Sequence, residues 1–149
     1  MYTALGVALN LLEAYLVPLG LVVPLPGARI GLANLVTVVV ILTEKTGFAW
    51  AVTLSRIFFG GLLTGTLFAL PFALSLGGGI AALLVMGSLR RLVPEVFSPV
   101  GLSISGAVAH NCGQLLVLYL LLPETGIWSL LPWLFLLGVP AGWLNGFLA

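Results

Sequence analysis

Long apolar runs broken by short polar or proline-bearing stretches set the rhythm of this chain, and they predict six helices. The first spans about residues 3–23 and is stopped by Val23-Pro24-Leu25-Pro26, because proline removes a backbone donor. The second, about 30–43, is short and ends at the Glu44-Lys45-Thr46-Gly47 turn. The third covers about 48–69, with Gly60, Gly61 and Gly65 predicting a bend or break in its second half. The fourth follows Pro71, covers about 72–92 and ends in Arg90-Arg91. After Pro94 and Pro99, the fifth runs about 100–122 to Pro123-Glu124-Thr125-Gly126, and the sixth occupies about 127–148. Runs such as Leu35–Leu42 and Leu115–Leu122 do not alternate apolar with polar residues, which excludes the strands of a membrane barrel.

Composition decides where these helices sit. Of 149 residues, 61% are hydrophobic and only 6% charged, with mean hydropathy +1.27. A soluble domain carries about 25% charged residues, so this chain has no water-facing surface of ordinary size. At roughly 20 residues per span, six helices use essentially the whole chain and leave no room for a soluble catalytic domain. The expected fold is therefore a single all-α, six-helix transmembrane domain over residues 1–149, in the cytoplasmic membrane. The first run lacks basic residues ahead of it and is read as a retained span rather than a signal peptide. Net charge is +1 with no basic cluster, which argues against nucleic acid as a partner. Cys112 is the single cysteine, so no disulfide forms within one chain.

Basic residues in short loops set orientation. Lys45, Arg90 and Arg91 fall on one side of a six-span bundle, which places both termini in the cytoplasm and the 24–31 loop outside. Arg29 in that loop runs against the rule, so topology does not explain it. The segment Pro24–Asn34 thus joins a fixed backbone to a charge between two lipid-compatible runs, the form expected of a loop at the mouth of a pocket. Small residues recur four apart at Ala4 and Ala8, at Gly138, Gly142 and Gly146, and at Gly101, Ser105 and Ala109. Such stripes let helices approach closely, within the bundle or against another subunit.

Polar groups inside the membrane carry the remaining information. Glu13 lies in helix 1 with Asn10 on the same face, Arg56 in helix 3, and Asn34 near the outer end of helix 2. His110, Asn111 and Gln114 cluster on helix 5, with His110 and Gln114 one turn apart. A charge at the bilayer centre costs at least about 2.5–3.5 kcal/mol, so these groups should face inward and meet. Counting about 1.5 Å per residue brings Glu13, Arg56 and His110 within about 5 Å of one depth. The expectation is a buried Glu13–Arg56 pair with His110 nearby. It serves either as structural glue or as the floor of a ligand cavity with Arg29 as its lid.

Enzymatic chemistry finds little support. Magnesium-dependent prenyl condensation needs clustered aspartates, and the chain has none. His110 has no second histidine for a zinc site, and Gly77-Gly78-Gly79 lacks the lysine and hydroxyl of a phosphate loop. That glycine run should let helix 4 bend or pack tightly. No flavin or haem attachment motif is present, and no cofactor is expected.

The segments Pro-Gly-Ala-Arg-Ile-Gly-Leu-Ala-Asn (26–34), Ser-Arg-Ile-Phe-Phe-Gly-Gly-Leu-Leu-Thr-Gly-Thr-Leu-Phe (55–68) and Gly-Ala-Val-Ala-His-Asn-Cys-Gly-Gln (106–114) resemble a small bacterial membrane family. It is called the Gx transporter family and is also labelled heptaprenyl diphosphate synthase component I. The family in turn is similar to the substrate-binding S components of energy-coupling factor (ECF) transporters. That resemblance implies a small-molecule ligand held near the outer face and closed over by the first loop. It also implies docking, through the small residues Ala4 and Ala8, on a T component driven by two ATPase subunits. The expected function is capture and uptake of a small molecule by a non-enzymatic subunit. Arg29, Asn34, Arg56, His110, Asn111 and Gln114 would contact the ligand, and Glu13 would shape the polar core. Alternatives are a non-catalytic membrane subunit of a prenyl diphosphate or quinone pathway synthase, and a stand-alone proton-coupled carrier. The aromatic side chains of Phe58, Phe59, Phe68 and Phe72 leave a flat apolar ligand as open as an anion.

Overall fold

Helix ends fall where the sequence removes donors or supplies caps. Proline occupies the first turn of α4 (Leu70–Leu92), α5 (Pro99–Leu121) and α6 (Leu131–Leu148), where its missing N–H costs nothing. Ser98 caps α5 by accepting from the Gly101 N–H at 3.1 Å. These three follow α1 (Tyr2–Leu16), α2 (Leu32–Thr43) and α3 (Thr46–Leu63), and a 3₁₀ turn over Thr125–Leu130 leads into α6. The computed structural model describes residues 1–16, 31–44, 46–93, 96–123 and 125–149, in main chain only at Ala33 and Thr125. Pro24–Ile30, with Arg29, lies outside the described residues, as does the last third of the expected first helix, residues 17–23.

Two boundaries differ from the sequence expectation by four residues or more: α6 starts at Leu131, behind the 3₁₀ turn, rather than near 127, and α3 ends early. α3 stops at Leu63 rather than near 69, because Gly65 (φ 67°) takes the left-handed conformation that closes a helix. The Thr66 N–H returns to the Gly61 carbonyl at 2.9 Å and the Gly65 N–H to that of Leu62 at 3.3 Å. This paired closure satisfies two carbonyls that α3 would otherwise leave bare inside a membrane.

Among the described residues, α3, α4, α5 and the segment Gly126–Leu148 are long and apolar enough to cross a membrane. The described part of α1 and the whole of α2 are shorter. The surface is inverted relative to a soluble protein. Phe59, Leu63, Trp133 and Phe147 are exposed, while Asn10, Glu13, Asn34, Arg56, Gln114 and Asn145 are buried. The chain is an all-α, multi-pass membrane bundle.

Neighbour contacts fix the helix directions. Tyr2 packs on Phe48, Gly6 on Arg56 and Asn10 on Gly60, so α1 and α3 run parallel. Asn111 meets Gly138, Ala107 meets Gly142 and Val100 meets Gly146, so α5 and α6 run antiparallel. The glycine stripe of α6 therefore packs within the bundle, whereas Ala4 and Ala8 are exposed on the outer face of α1. At one end, Arg90 donates to the Leu42 carbonyl at 3.4 Å, placing a cation beside the last turns of α4 and α2.

Two apolar clusters divide the interior. One joins Val36, Val40, Val52, Leu83, Met86 and Leu102 toward the Arg90 end. The other joins Leu74, Leu115, Leu118, Ile127 and Leu134 toward the opposite end, among α4, α5 and α6. The buried polar side chains concentrate in the layer between them.

Candidate ligand-binding cavity

That layer encloses a cavity of about 620 Å³, counting its opening, and every helix contributes to its wall. From α1 come Asn10 and Glu13, three residues apart and hence on one face. The start of α2 supplies Gly31 and Asn34, and α3 supplies Arg56 and Ile57. Ser75 of α4, His110 and Asn111 of α5 and Asn145 of α6 complete the polar lining.

Glycines on neighbouring helices make room for these side chains. A Cβ on Gly6 would meet the Arg56 stem at 2.9 Å, and one on Gly78 would meet the His110 ring at 2.7 Å. Asn10 lies against Gly60, and Asn111 against Gly138, in the same manner. The Gly77-Gly78-Gly79 run thus serves close packing. Gly77 faces Val117 and the Gly113 carbonyl, Gly78 faces His110, and Gly79 faces Ile57 and Thr53.

The start of α2 is held from two sides. Glu13 Oε1 accepts from the Leu32 N–H at 2.6 Å, and Asn145 Nδ2 donates to the Gly31 carbonyl at 3.0 Å. Gly31 itself is left-handed (φ 76°), a conformation that an added Cβ would strain. A carboxylate on a helix N-terminus meets unsatisfied N–H groups and the positive end of the helix dipole. α2 has 12 residues, or about 18 Å of rise, against a hydrocarbon core of about 30 Å. Gly31 and Asn34, at its start, line the cavity.

Arg56 is buried beside a pair of hydroxyls. Its Nη2 donates to Thr37 Oγ1 at 3.4 Å, and Thr37 and Thr53 hydroxyls lie 3.1 Å apart. Asn111 Nδ2 donates to the Leu134 carbonyl at 2.7 Å. Asn34 Oδ1 is buried and has no hydrogen-bond partner among the described residues. It is an acceptor at the cavity wall. The described lining carries one Arg and one Glu, with His110 on the same wall.

Five of the residues expected from sequence, Glu13, Asn34, Arg56, His110 and Asn111, meet at this cavity. Gln114 does not line it. It is buried one turn beyond His110, and its Oε1 has no partner among the described residues. Arg29 lies outside the described residues. Phe58 and Phe59 face outward against each other, and Phe72 lines a second, smaller cavity. Asn145 and Ser75 were not singled out from the sequence. The signal for Asn145 was a buried-type amide inside the apolar run Gly142-Trp143-Leu144-Asn145-Gly146, hidden by its closeness to the expected helix end.

No curated protein and no solved structure matches the chain. Across residues 2–149 it matches the family described as heptaprenyl diphosphate synthase component I, and the chain belongs to that family.

Proposed function

We propose that the protein is a membrane-embedded binding subunit that captures a small molecule in the polar cavity and works with separate protein partners. The observation that supports this reading is the cavity: all six helices of an otherwise apolar bundle give up packing to line it. Structural glue alone would close around its polar groups, since empty volume in a core is itself destabilising. The resemblance to ECF S components extends the reading to uptake across the cytoplasmic membrane, with energy from an ATPase module docked through a T component. The exposure of Ala4 and Ala8 on α1 is compatible with docking there.

The chemistry of the wall bears on the ligand. A prenyl diphosphate would bring several negative charges beside Glu13, with one arginine, Arg56, among the described lining residues to meet them. A neutral or zwitterionic molecule rich in donors and acceptors fits the Asn10, Asn34, Asn111 and Asn145 amides better. The protein acts as a binding subunit and not as an enzyme.

The family description favours a second reading, a non-catalytic membrane component of a prenyl diphosphate synthase. Affinity purification from native membranes in mild detergent, followed by native mass spectrometry, separates the two. Recovery of a T component with its ATPases, and of a small molecule lost in Arg56→Gln, is the expected result. Recovery of a prenyl synthase with an empty cavity would replace the uptake reading with the second one.

A further inference from the structure

A second cavity of about 280 Å³ adjoins the first and shares Asn10, Ile57 and Ser75 with it. From that shared neck it extends toward the α3–α4 turn, where Thr64, Thr66 and Phe72 line it. Over α4, α5 and α6 the same end of the bundle is filled by the Leu74, Leu115, Leu118 and Leu134 cluster. The continuation of the polar space therefore runs between α1, α3 and the start of α4.

We propose that this cleft is the ligand's portal, the route by which a small molecule passes the Thr64, Thr66 and Ser75 hydroxyls to reach the inner cavity. The inference rests on the binding role proposed above. Three observations carry it. The described lining of the outer cavity has no charged side chain, and offers hydroxyls beside the Phe72 ring and Pro71. Its floor is glycine: a Cβ on Gly61 would meet Phe72 at 2.9 Å, and one on Gly60 would strike Asn10. The turn at its mouth is held in an uncommon shape, with Phe68 at φ 63° and its ring edge-on to Phe72 at 5.7 Å between centroids. A bulky residue in the left-handed region costs about 1–2 kcal/mol, and such strain gathers at functional sites. Phe68 nevertheless leaves its own ring 84% exposed, so burial of that ring does not account for the strain.

Thiol accessibility tests this without knowing the ligand. In a Cys112→Ala background, Ala141→Cys places one thiol on the inner cavity wall. The protein is reconstituted in nanodiscs and labelled with 2-(trimethylammonio)ethyl methanethiosulfonate, and the rate is followed by intact-mass spectrometry. Ser75→Trp at the neck, or Thr66→Trp at the mouth, should slow labelling at least tenfold. Leu62→Trp, on the lipid-facing side of α3, should leave it unchanged. Thr66 lies in a surface turn, so its variant remains informative if Ser75→Trp does not fold. An Ala141→Cys thiol that reacts equally fast with both plugs overturns the portal alone. A thiol inert even without a plug overturns the portal and the open binding cavity together.

Discussion

Glycine at position 78 matters for what it lets His110 do. Its missing side chain is the space the imidazole occupies, and Gly138 holds the Asn111 amide in the same way. Adding one methyl at either site overpacks a fitted contact, which costs about 1–3 kcal/mol. Gly78→Ala and Gly138→Ala should therefore lower the melting temperature in detergent. Gly47→Ala, with no atom within 4 Å of the added Cβ, should leave it unchanged or slightly higher. Glu13 gives a second test at this scale. Its carboxylate accepts from the Leu32 N–H at the start of α2, and an orphaned buried donor costs about 1–3 kcal/mol. Glu13→Gln keeps an acceptor and should destabilise less than Glu13→Ala; equal melting temperatures for the two would contradict the cap. The inward-facing residues were legible in the sequence because charge and amide are so costly in lipid. Asn10, Glu13, Arg56 and His110 could hardly face any other way. Gln114 shows the limit of that logic: cost in lipid predicts burial, but not whether the side chain reaches the cavity. The glycine seats were not legible, since a cavity for a side chain depends on two helices in register.

At the scale of elements, α2 is defined by its start. Its N-terminus is tied to α1 through Glu13 and to α6 through Asn145, elements separated by most of the chain. Asn145→Leu leaves the Gly31 carbonyl without that donor. Hydrogen exchange at the amides of Leu32 to Asn34 should then rise about tenfold, equivalent to about 1.4 kcal/mol, while exchange in α4 stays the same. Unchanged exchange at α2 would show that the Asn145 bond does not hold the helix start. The number and order of helices were readable from the apolar runs, and Pro71 and Pro99 marked their boundaries closely. The end of α3 was not, because Leu67-Phe68-Ala69-Leu70 reads as helix to any hydropathy pattern. Only the closing bonds around Gly65 show that the chain has already turned.

Among the described residues polarity is layered: an apolar cluster toward the Arg90 end, a polar cavity, and a second apolar cluster among α4, α5 and α6. The one arginine and one glutamate of the described lining predict selectivity. Millimolar prenyl diphosphate with magnesium should neither raise the melting temperature of the purified protein by more than about 1 °C nor be consumed. A large stabilisation by diphosphate would favour the synthase reading instead. Membership in the synthase component family and this lining are compatible if the chain serves its partners by holding a different molecule.

The shortness of α2 also has an electrical side. With the cavity open toward the α3–α4 turn, the insulating part of the protein shrinks to the length of α2, about 18 Å in place of about 30 Å. The membrane voltage then falls almost wholly between the cavity and the Arg90 end. Loading a charged molecule from the open side would barely feel that voltage. Its discharge past α2 would feel nearly all of it, about 2.3 kcal/mol per unit charge at 100 mV. A neutral or zwitterionic cargo escapes this penalty, so uptake that stays constant as the potential is clamped to different values would report the cargo's charge before its structure is known.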